Sequence, residues 1–217
     1  KWPEKGGGTT PSYKYLDIYG NVQQVAANTL GRTYNYANMR SDNYENGYTS
    51  SQAAAVAALM KDMGTSVRMN YHYEASGAYS EDVAMALATY FGYTKASVNA
   101  YGDGYTEREW VKVLKNNISK YGPSYFSGTS GEGGHAFVLD GYSSDGMFAF
   151  NWGWSGSSNG FYNLSSMVAG GWDFAKSHEA IVGLVPDKEG TTSYRDRLIV
   201  GTTTGINGMT TDTQVFH

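Results

Sequence analysis

Cysteine is absent from all 217 residues of the sequence. No disulfide framework can therefore stabilise the chain, which is nevertheless long enough to bury an ordinary hydrophobic core. The same absence means that these residues supply no thiolate, either as a nucleophile or as a metal ligand. Any thiol chemistry would therefore require a sulfur atom from outside them.

Charge and long apolar runs are also scarce. Charged residues make up 17% of the chain, the net charge is −4, and lysine and arginine form no run. Such a surface lacks the positive potential that binds phosphate backbones, so we expect no nucleic acid partner. No apolar stretch approaches the roughly 20 residues that cross a bilayer. We therefore expect no membrane span, and the beginning KWPEKGGG lacks the apolar core of a signal peptide.

Tyrosine and glycine, in contrast, are abundant, whereas lysine and glutamate are modest in number. This balance is more typical of exported bacterial proteins than of cytosolic enzymes. The composition therefore favours a secreted, cell-surface or periplasmic location.

Three helices are predicted after a loop-rich stretch of about fifty residues with short strand pieces. Thr49 with Gln52, and Thr106 with Glu109, have the spacing of a capping box, which marks a helix beginning. Ser80 is the expected N-cap of the helix between them. Glycine can adopt the left-handed conformation that ends a helix, so the first two helices are expected to stop at two glycines, Gly64 and Gly92.

Short β runs replace the helical pattern after Pro123. They are rich in aromatic and branched residues and are separated by Ser, Asp and Gly turns, as in SYFS, HAFVLDGY, GMFAFNW, GFYNL and EAIVGLV. Helices followed by an antiparallel sheet predict an α+β fold rather than alternating βαβ units.

Histidine is the residue type most relevant to catalysis. His72, His178 and His217 have no second ligand at a metal-binding spacing, so we expect neither a metal site nor a cofactor. His135 differs because it follows two glycines, Gly133 and Gly134, and opens a strand, where a substrate backbone could approach the imidazole. A partly exposed histidine at an ordinary glycine turn explains the same pattern equally well.

The segment NWGWSG, residues 151–156, offers two readings as well. Asn151 could accept a hydrogen bond from an imidazole, while Trp152 or Trp154 could shield that contact from water. A tryptophan core beneath a β-turn is the alternative. The neighbouring GSSNG matches the serine motif G-x-S-x-G, but it joins two strands instead of a strand and a helix. We therefore reject a serine nucleophile.

Together these segments resemble the streptopain family of papain-like cysteine peptidases. The resemblance covers residues 1 to about 185 and rests on segments in the same order, namely YNYANM, AAAVAALMKDMGTSVRMNYHYEASGA, ALATYFGY, GGHAFVLDGY and FNWGWSGSSNGFYNL. It implies a papain-like α+β fold, with helices first and a twisted, barrel-like antiparallel half after them. It also implies a cysteine thiolate that attacks a peptide carbonyl and a histidine that transfers the proton.

Four catalytic assignments follow from the resemblance. His135 matches the catalytic base and acid, and Asn151 matches the asparagine that orients the imidazole. Trp152 and Trp154 match the tryptophans that cover and position the ring.

The resemblance also suggests substrate-binding positions. Gly134, with Gly133 before it, corresponds to a contact with the substrate backbone. Ser76, Gly77 and Ala78 correspond to the opposite wall of the substrate cleft. Protein or peptide substrates are the implied ligands.

The nucleophile of this family lies N-terminal to the segment that begins KWPEKG. The resemblance therefore implies a partner fragment that carries the catalytic cysteine, and a cleaved two-chain enzyme is the favoured interpretation. Residues 1–186 are expected to form the peptidase core and residues 187–217 a polar C-terminal extension. The alternative is a noncatalytic module that binds a peptide or a glycan through exposed aromatic side chains.

Overall fold

The structure is a computed structural model that describes residues 2–40, 47–94 and 98–188. These residues form two compact units, residues 2–94 with 186–188 and residues 98–185. Within the described ranges, no helix combines the length and apolarity that a bilayer crossing requires. The proposed boundary after residue 186 stays a prediction, because residues 189–217 lie outside the described part of the chain.

Two short antiparallel strand pairs begin the first unit, as predicted for this loop-rich stretch. The strands are β1 (Thr9–Thr10), β2 (Tyr13–Leu16), β3 (Val22–Val25) and β4 (Asn28–Thr29), and β1 pairs with β4 and β2 with β3, both antiparallel. Asp17 stabilises the β2–β3 turn because its Oδ1 accepts the backbone N–H groups of Tyr19 and Asn21. The bond from Asn21 is the main reason that the pKa of the Asp17 carboxyl lies below its ordinary value.

Two helices complete the first unit, α1 (Ser50–Ser66) and α2 (Ser80–Tyr90). The predicted capping box of α1 is confirmed, since the Thr49 hydroxyl accepts from Gln52 N–H and the Gln52 side chain accepts from Thr49 N–H. Gly92 follows the end of α2 with φ +63°, in agreement with its expected role as a stop.

Two helix boundaries differ from the prediction. Gly64 lies inside α1, which continues to Ser66, and a Cβ atom at Gly64 would come within 2.2 Å of the Tyr71 hydroxyl. Glycine is therefore needed there for the close approach of Tyr71 and not for helix termination. Ser80 is the first helical residue, and the N-cap is Tyr79, whose side chain makes no capping hydrogen bond.

A buried carboxylate connects α1 to the preceding loop. Asp62 is fully buried, and its two oxygens accept hydrogen bonds from the Asn28 amide at 2.9 Å and the Tyr34 hydroxyl at 3.0 Å. The Nε atom of Arg32 lies 3.4 Å from the same carboxylate. Each of these contacts compensates the cost of burying the charge, so the loop and the helix are held as one unit.

The second unit contains α3 (Glu107–Tyr121) and a six-stranded antiparallel sheet. The sheet strands, in spatial order, are β5 (Val98–Tyr101), β12 (Lys176–Val182), β6 (Ser124–Thr129), β7 (Gly134–Tyr142), β8 (Phe148–Asn151) and β9 (Gly160–Tyr162). A two-stranded ladder joins β10 (Val168–Ala169) to β11 (Trp172–Asp173). The strands predicted after Pro123 are confirmed.

Helix α3 covers the sheet because its apolar stripe matches a core of aromatic residues. The capping box of Thr106 and Glu109 is present, and the bonds from Thr106 lower the pKa of the Glu109 carboxyl below its ordinary value. Trp110 and Leu114 of the helix are buried against Phe126 and its neighbours in the sheet. Along β6 buried and partly buried residues alternate, as expected for a strand with one covered face.

Candidate active site

The strand β7 begins at the residues predicted for catalysis. His135 is its second residue, half-buried, and pairs with Gly128 of β6. A Cβ atom at the preceding Gly133 would meet no atom within 4 Å, and one at Gly134 would make only ordinary contacts. The two glycines therefore leave open space beside the histidine.

The imidazole of His135 makes a hydrogen bond with a backbone carbonyl. Its Nε2 lies 2.8 Å from the Trp152 oxygen. A carbonyl oxygen can only accept, so in this geometry Nε2 carries the hydrogen and donates it. In the neutral ring, the Nδ1 atom then bears the free lone pair, and the hydrogen bonds of the described residues give Nδ1 no partner. The Nδ1 atom is thus the ring nitrogen that can accept a proton.

Aromatic rings surround the imidazole on several sides. The Trp154 ring stacks on it with centroids 4.7 Å apart and an angle of 25° between the planes. The rings of Phe137 and Phe174 each lie 5.8 Å from it. These contacts restrict the ring to one orientation, and an indole face also attracts a cationic ring. Trp154 can therefore hold the imidazole in both of its protonation states.

A tight turn after β8 positions the Trp152 carbonyl. The Asn151 side-chain oxygen accepts the Gly153 N–H at 3.0 Å, and the Asn159 side-chain oxygen accepts the Trp152 N–H at 3.0 Å. Gly153 adopts φ +76°, a conformation that glycine reaches without strain. Asn151 thus holds the Trp152–Gly153 peptide group, whose carbonyl contacts His135, and Asn159 holds the peptide group before it.

The predicted catalytic residues are therefore close together, although Asn151 contributes differently from the expectation. Its side chain contacts Gly153, while the hydrogen bond to the imidazole comes from the Trp152 main chain. The Trp152 indole is fully buried and packs 4.2 Å from the Phe137 ring. Asn151, Trp152 and Trp154 lie in one turn against His135, and their catalytic roles stay predictions.

Sequence reasoning missed two contributors, Asn159 and Phe174. Asn159 lies in the glycine-rich turn before β9, where an asparagine is common for local reasons and gives no sign of a distant partner. Phe174 is buried and packs beside both the His135 and the Trp152 rings, with centroids 5.8 Å and 5.3 Å away. No periodic pattern around residue 174 indicated this contact.

Glycine also makes room for Trp154. Gly170 adopts φ +60°, and a Cβ atom there would lie 3.0 Å from the Trp154 ring. Both the backbone conformation and the close approach favour glycine. This residue thus supports the ring that covers His135.

The other predicted substrate-binding residues belong to the first unit. Ser76, Gly77 and Ala78 are exposed, and the Ser76 hydroxyl is engaged with the backbone of His72 in the same loop. Gly77 exchanges two backbone hydrogen bonds with Asn70. Their role in substrate binding stays a prediction, as does that of Gly133 and Gly134.

Metal ligands do not assemble in the described part of the chain. Within residues 2–40, 47–94 and 98–188, no three His, Asp or Glu side chains form a group that could hold a metal ion.

A model of the Peptidase C10 family matches residues 1–162 of the chain. The chain belongs to the Peptidase C10 family. This is a family of cysteine peptidases, and the resemblance to streptopain noted in the sequence is confirmed.

Two curated relatives match most of this C10 chain. It is 35% identical over 193 residues to the thiol protease/hemagglutinin PrtT of Porphyromonas gingivalis, covering 86% of the chain and 22% of the relative. It is 32% identical over 177 residues to streptopain of Streptococcus pyogenes, covering 77% of the chain and 44% of the relative. The chain thus spans less than half the length of these curated relatives.

A solved structure supports the fold of this C10 chain. The active wild-type interpain A cysteine protease of Prevotella intermedia superposes with a TM-score of 0.71 at 31% identity, covering 88% of this chain and 77% of that one. The predicted α+β, papain-like fold is confirmed.

The turn that holds the Trp152 carbonyl gives a first testable prediction. Replacing Asn159 by alanine removes the acceptor of the Trp152 N–H, so the carbonyl should move and weaken its bond to His135. A side-chain hydrogen bond of this type contributes about 1 kcal/mol, so we expect the His135 Nε2–H proton to exchange with water roughly five- to tenfold faster. The exchange is measured by NMR on the ¹⁵N-labelled imidazole.

A matched control for Asn159→Ala is available in the same unit. Asn163 also accepts a backbone N–H with its side chain, that of Ser165, in a neighbouring turn. Asn163→Ala should leave the His135 proton unchanged. Equal exchange in wild type and Asn159→Ala would show that Asn159 does not position the carbonyl.

Proposed function

We propose that the chain is the histidine-bearing part of a cysteine endopeptidase that hydrolyses peptide bonds of proteins through a Cys–His dyad. The observation that carries the proposal is the Nε2–H bond from His135 to the Trp152 carbonyl, which leaves Nδ1 free to receive a thiol proton. The membership of a cysteine peptidase family supports the same chemistry.

The proposed mechanism assigns each proton to an atom. A cysteine thiol gives its proton to His135 Nδ1, and the thiolate attacks the substrate carbonyl to form a tetrahedral intermediate. The imidazolium returns the proton to the leaving amine, an acyl-enzyme remains, and a water activated by the same nitrogen hydrolyses it. Trp154 and the Trp152 carbonyl keep the imidazole aligned throughout, and Asn151 acts on that carbonyl through Gly153.

We further propose that the cysteine comes from polypeptide N-terminal to residue 1, either a separate fragment or a preceding segment. The support is chemical: a C10 peptidase needs a thiolate, and none of the 217 residues is cysteine. One structural neighbour is a prointerpain A fragment, a pro-form of a related protease, and it suggests that such enzymes are processed from longer precursors.

Substrate contacts and location belong to the same proposal. Gly133 and Gly134 would admit the substrate backbone beside the imidazole, because side chains are absent there. Ser76, Gly77 and Ala78 would contact substrate from the first unit.

A secreted, cell-surface or periplasmic location suits a protease of this composition, and the curated relatives it matches come from bacteria.

The proposal is tested by supplying the cysteine. The chain is produced together with the polypeptide encoded before residue 1, and casein hydrolysis is measured before and after alkylation with iodoacetamide. We expect hydrolysis only when both pieces are present, and its loss on alkylation because the thiolate is the nucleophile. Hydrolysis that resists alkylation, or its absence from a correctly assembled pair, would contradict the proposal.

A noncatalytic binding module is the second candidate, and exposed aromatic side chains favour it. Tyr73 and Tyr79 are exposed by 79% and 78%, and Trp172 by 44%. Such rings are common in surfaces that recognise peptides or glycans. This candidate predicts ligand binding that survives His135→Ala and no hydrolysis in the assay above.

A further inference from the structure

A groove of about 620 Å³ lies in the first unit. Strand β2, the end of α1 and the loop before α2 form its walls, and the side chains of Tyr13, Tyr15 and Tyr79 give it an aromatic lining. This volume lies within the usual range of protein pockets that bind small ligands.

Hydrogen bonds between the walls hold the groove open. The Tyr13 hydroxyl donates to the Met69 carbonyl at 2.8 Å, and the Tyr15 hydroxyl donates to the Tyr71 carbonyl at 3.1 Å. Both bonds tie β2 to the segment that follows α1. The groove is therefore preformed, which lowers the entropic cost of binding.

Two cations line this groove. Lys14 and Arg68 are both exposed, and no carboxylate of the described residues lies within ion-pair distance of either. Asp82 is the single carboxylate of the lining. The lining thus has an excess of positive charge in a chain whose net charge is −4.

The backbone at Arg68 is unusual for an arginine. Its φ is +53°, in the left-handed region. Met69 N–H bonds to the Gly64 carbonyl and Arg68 N–H to the Thr65 carbonyl, which is the Schellman pattern at the end of α1. Glycine is the usual residue at this position because other residues pay a steric cost there. A strained residue points to a function for its side chain.

His72, which also lines the groove, adds a further polar feature. Its Nδ1 accepts the Glu74 N–H at 3.1 Å, so the ring hydrogen is on Nε2. This Nε2 is buried and has no hydrogen-bond partner among the described residues. Buried donors are normally paired, so this loop next to the groove holds a donor without an acceptor among the described residues.

We propose that this groove binds an acidic side chain of a polypeptide substrate, with Arg68 and Lys14 as the residues that recognise the carboxylate. The choice of a polypeptide as ligand rests on the proposed function. A guanidinium matches a carboxylate with two parallel N–H donors, and the tyrosine rings of the lining suit the apolar neighbours of an acidic residue. The groove thereby selects among substrates by charge.

The test compares two capped peptides, acetyl-Phe-Glu-Phe-amide and acetyl-Phe-Gln-Phe-amide. Their dissociation constants for the 217-residue chain are measured by calorimetry at low ionic strength, where screening is weak. We expect the glutamate peptide to bind about tenfold more tightly than the glutamine peptide, because a charge-assisted bond replaces a neutral one.

The Arg68→Gly variant tests recognition of the carboxylate without impairing the folding of the chain. Glycine removes the guanidinium and relieves the left-handed backbone, so the preference for glutamate should fall to about twofold or less without any loss of stability toward urea. Asp82→Asn removes the opposing carboxylate and should tighten glutamate binding. Lys61→Gln is the matched control, because Lys61 is an exposed cation of α1 outside the lining.

Other results would overturn the inference. Equal binding of the two peptides, or an unchanged preference in Arg68→Gly, would exclude recognition of the carboxylate at this groove. Binding of a heparin oligosaccharide with no binding of either peptide would point to a glycan site instead. These measurements need no cleavage, so their failure is distinct from a failure of the casein assay.

Discussion

Replacing His135 by alanine should reduce the casein hydrolysis of the assembled peptidase by about a thousandfold or more. Loss of a catalytic base that acts together with its nucleophile produces losses of this size. The imidazole is the group that can take the thiol proton, and its Nδ1 is free for it. Since the effect is on proton transfer, kcat should fall while KM changes little.

Two further variants sharpen the His135 test. His135→Gln keeps an N–H donor of similar reach for the Trp152 carbonyl but supplies no base, so it should be as inactive as the alanine variant. His217→Gln removes a histidine outside both the family match and the described residues, and it should retain normal turnover. Activity within tenfold of wild type in His135→Ala would refute the assignment.

Replacing Gly128 by alanine should lower the free energy of unfolding by about 3 kcal/mol, near the upper end of what overpacking usually costs. Gly128 is buried in β6 opposite His135, and a Cβ atom there would lie 2.3 Å from the Phe174 carbonyl oxygen. Because the obstacle is backbone, no side-chain rotation can relieve it. The segment that carries Phe174 must move away from the sheet.

The displacement at Gly128 should also disturb the active site. The Phe174 carbonyl is hydrogen-bonded to His178 Nε2 at 3.2 Å, and the Phe174 ring packs 5.8 Å from the His135 ring. Movement of this segment would break the first contact and loosen the second. We therefore expect faster solvent exchange of the His135 Nε2–H proton in the same variant.

Gly104→Ala provides the comparison for the stability measurement. A Cβ atom at Gly104, in the same unit, would meet nothing within 4 Å. Its free energy of unfolding should therefore remain within about 0.5 kcal/mol of wild type. The free energies are measured by urea unfolding of the wild type, Gly128→Ala and Gly104→Ala. Equal midpoints for the two variants would contradict the steric argument.

Features that depend on nearby residues could be predicted from the sequence. The capping box of Thr49 and Gln52 forms as predicted because its two hydrogen bonds join residues three positions apart. The aromatic and branched residues of β7, the strand that contains His135, likewise indicate a strand in the sequence. The motifs around that strand also carried the family resemblance.

Features that depend on distant backbone atoms could not be predicted in the same way. The Trp152 carbonyl contacts the imidazole because Asn159 and Asn151 shape the turn, and a carbonyl has no signature in the amino-acid sequence. Glycines are ambiguous for a related reason. The sequence around Gly64 indicates a helix stop, whereas this glycine makes room for Tyr71, a partner that only the folded chain brings near.

The His135 imidazole donates its hydrogen bond to a main-chain carbonyl and not to a side chain. This choice of acceptor determines which substitutions the site tolerates. Every amino acid carries a carbonyl, so no codon change at position 152 can delete the acceptor itself. If residue 152 is replaced by every other amino acid, we expect the loss of peptidase activity to depend on the size and shape of the new side chain rather than on its hydrogen-bonding capacity. An enzyme that orients its base through an asparagine side chain would instead lose that acceptor through a single substitution.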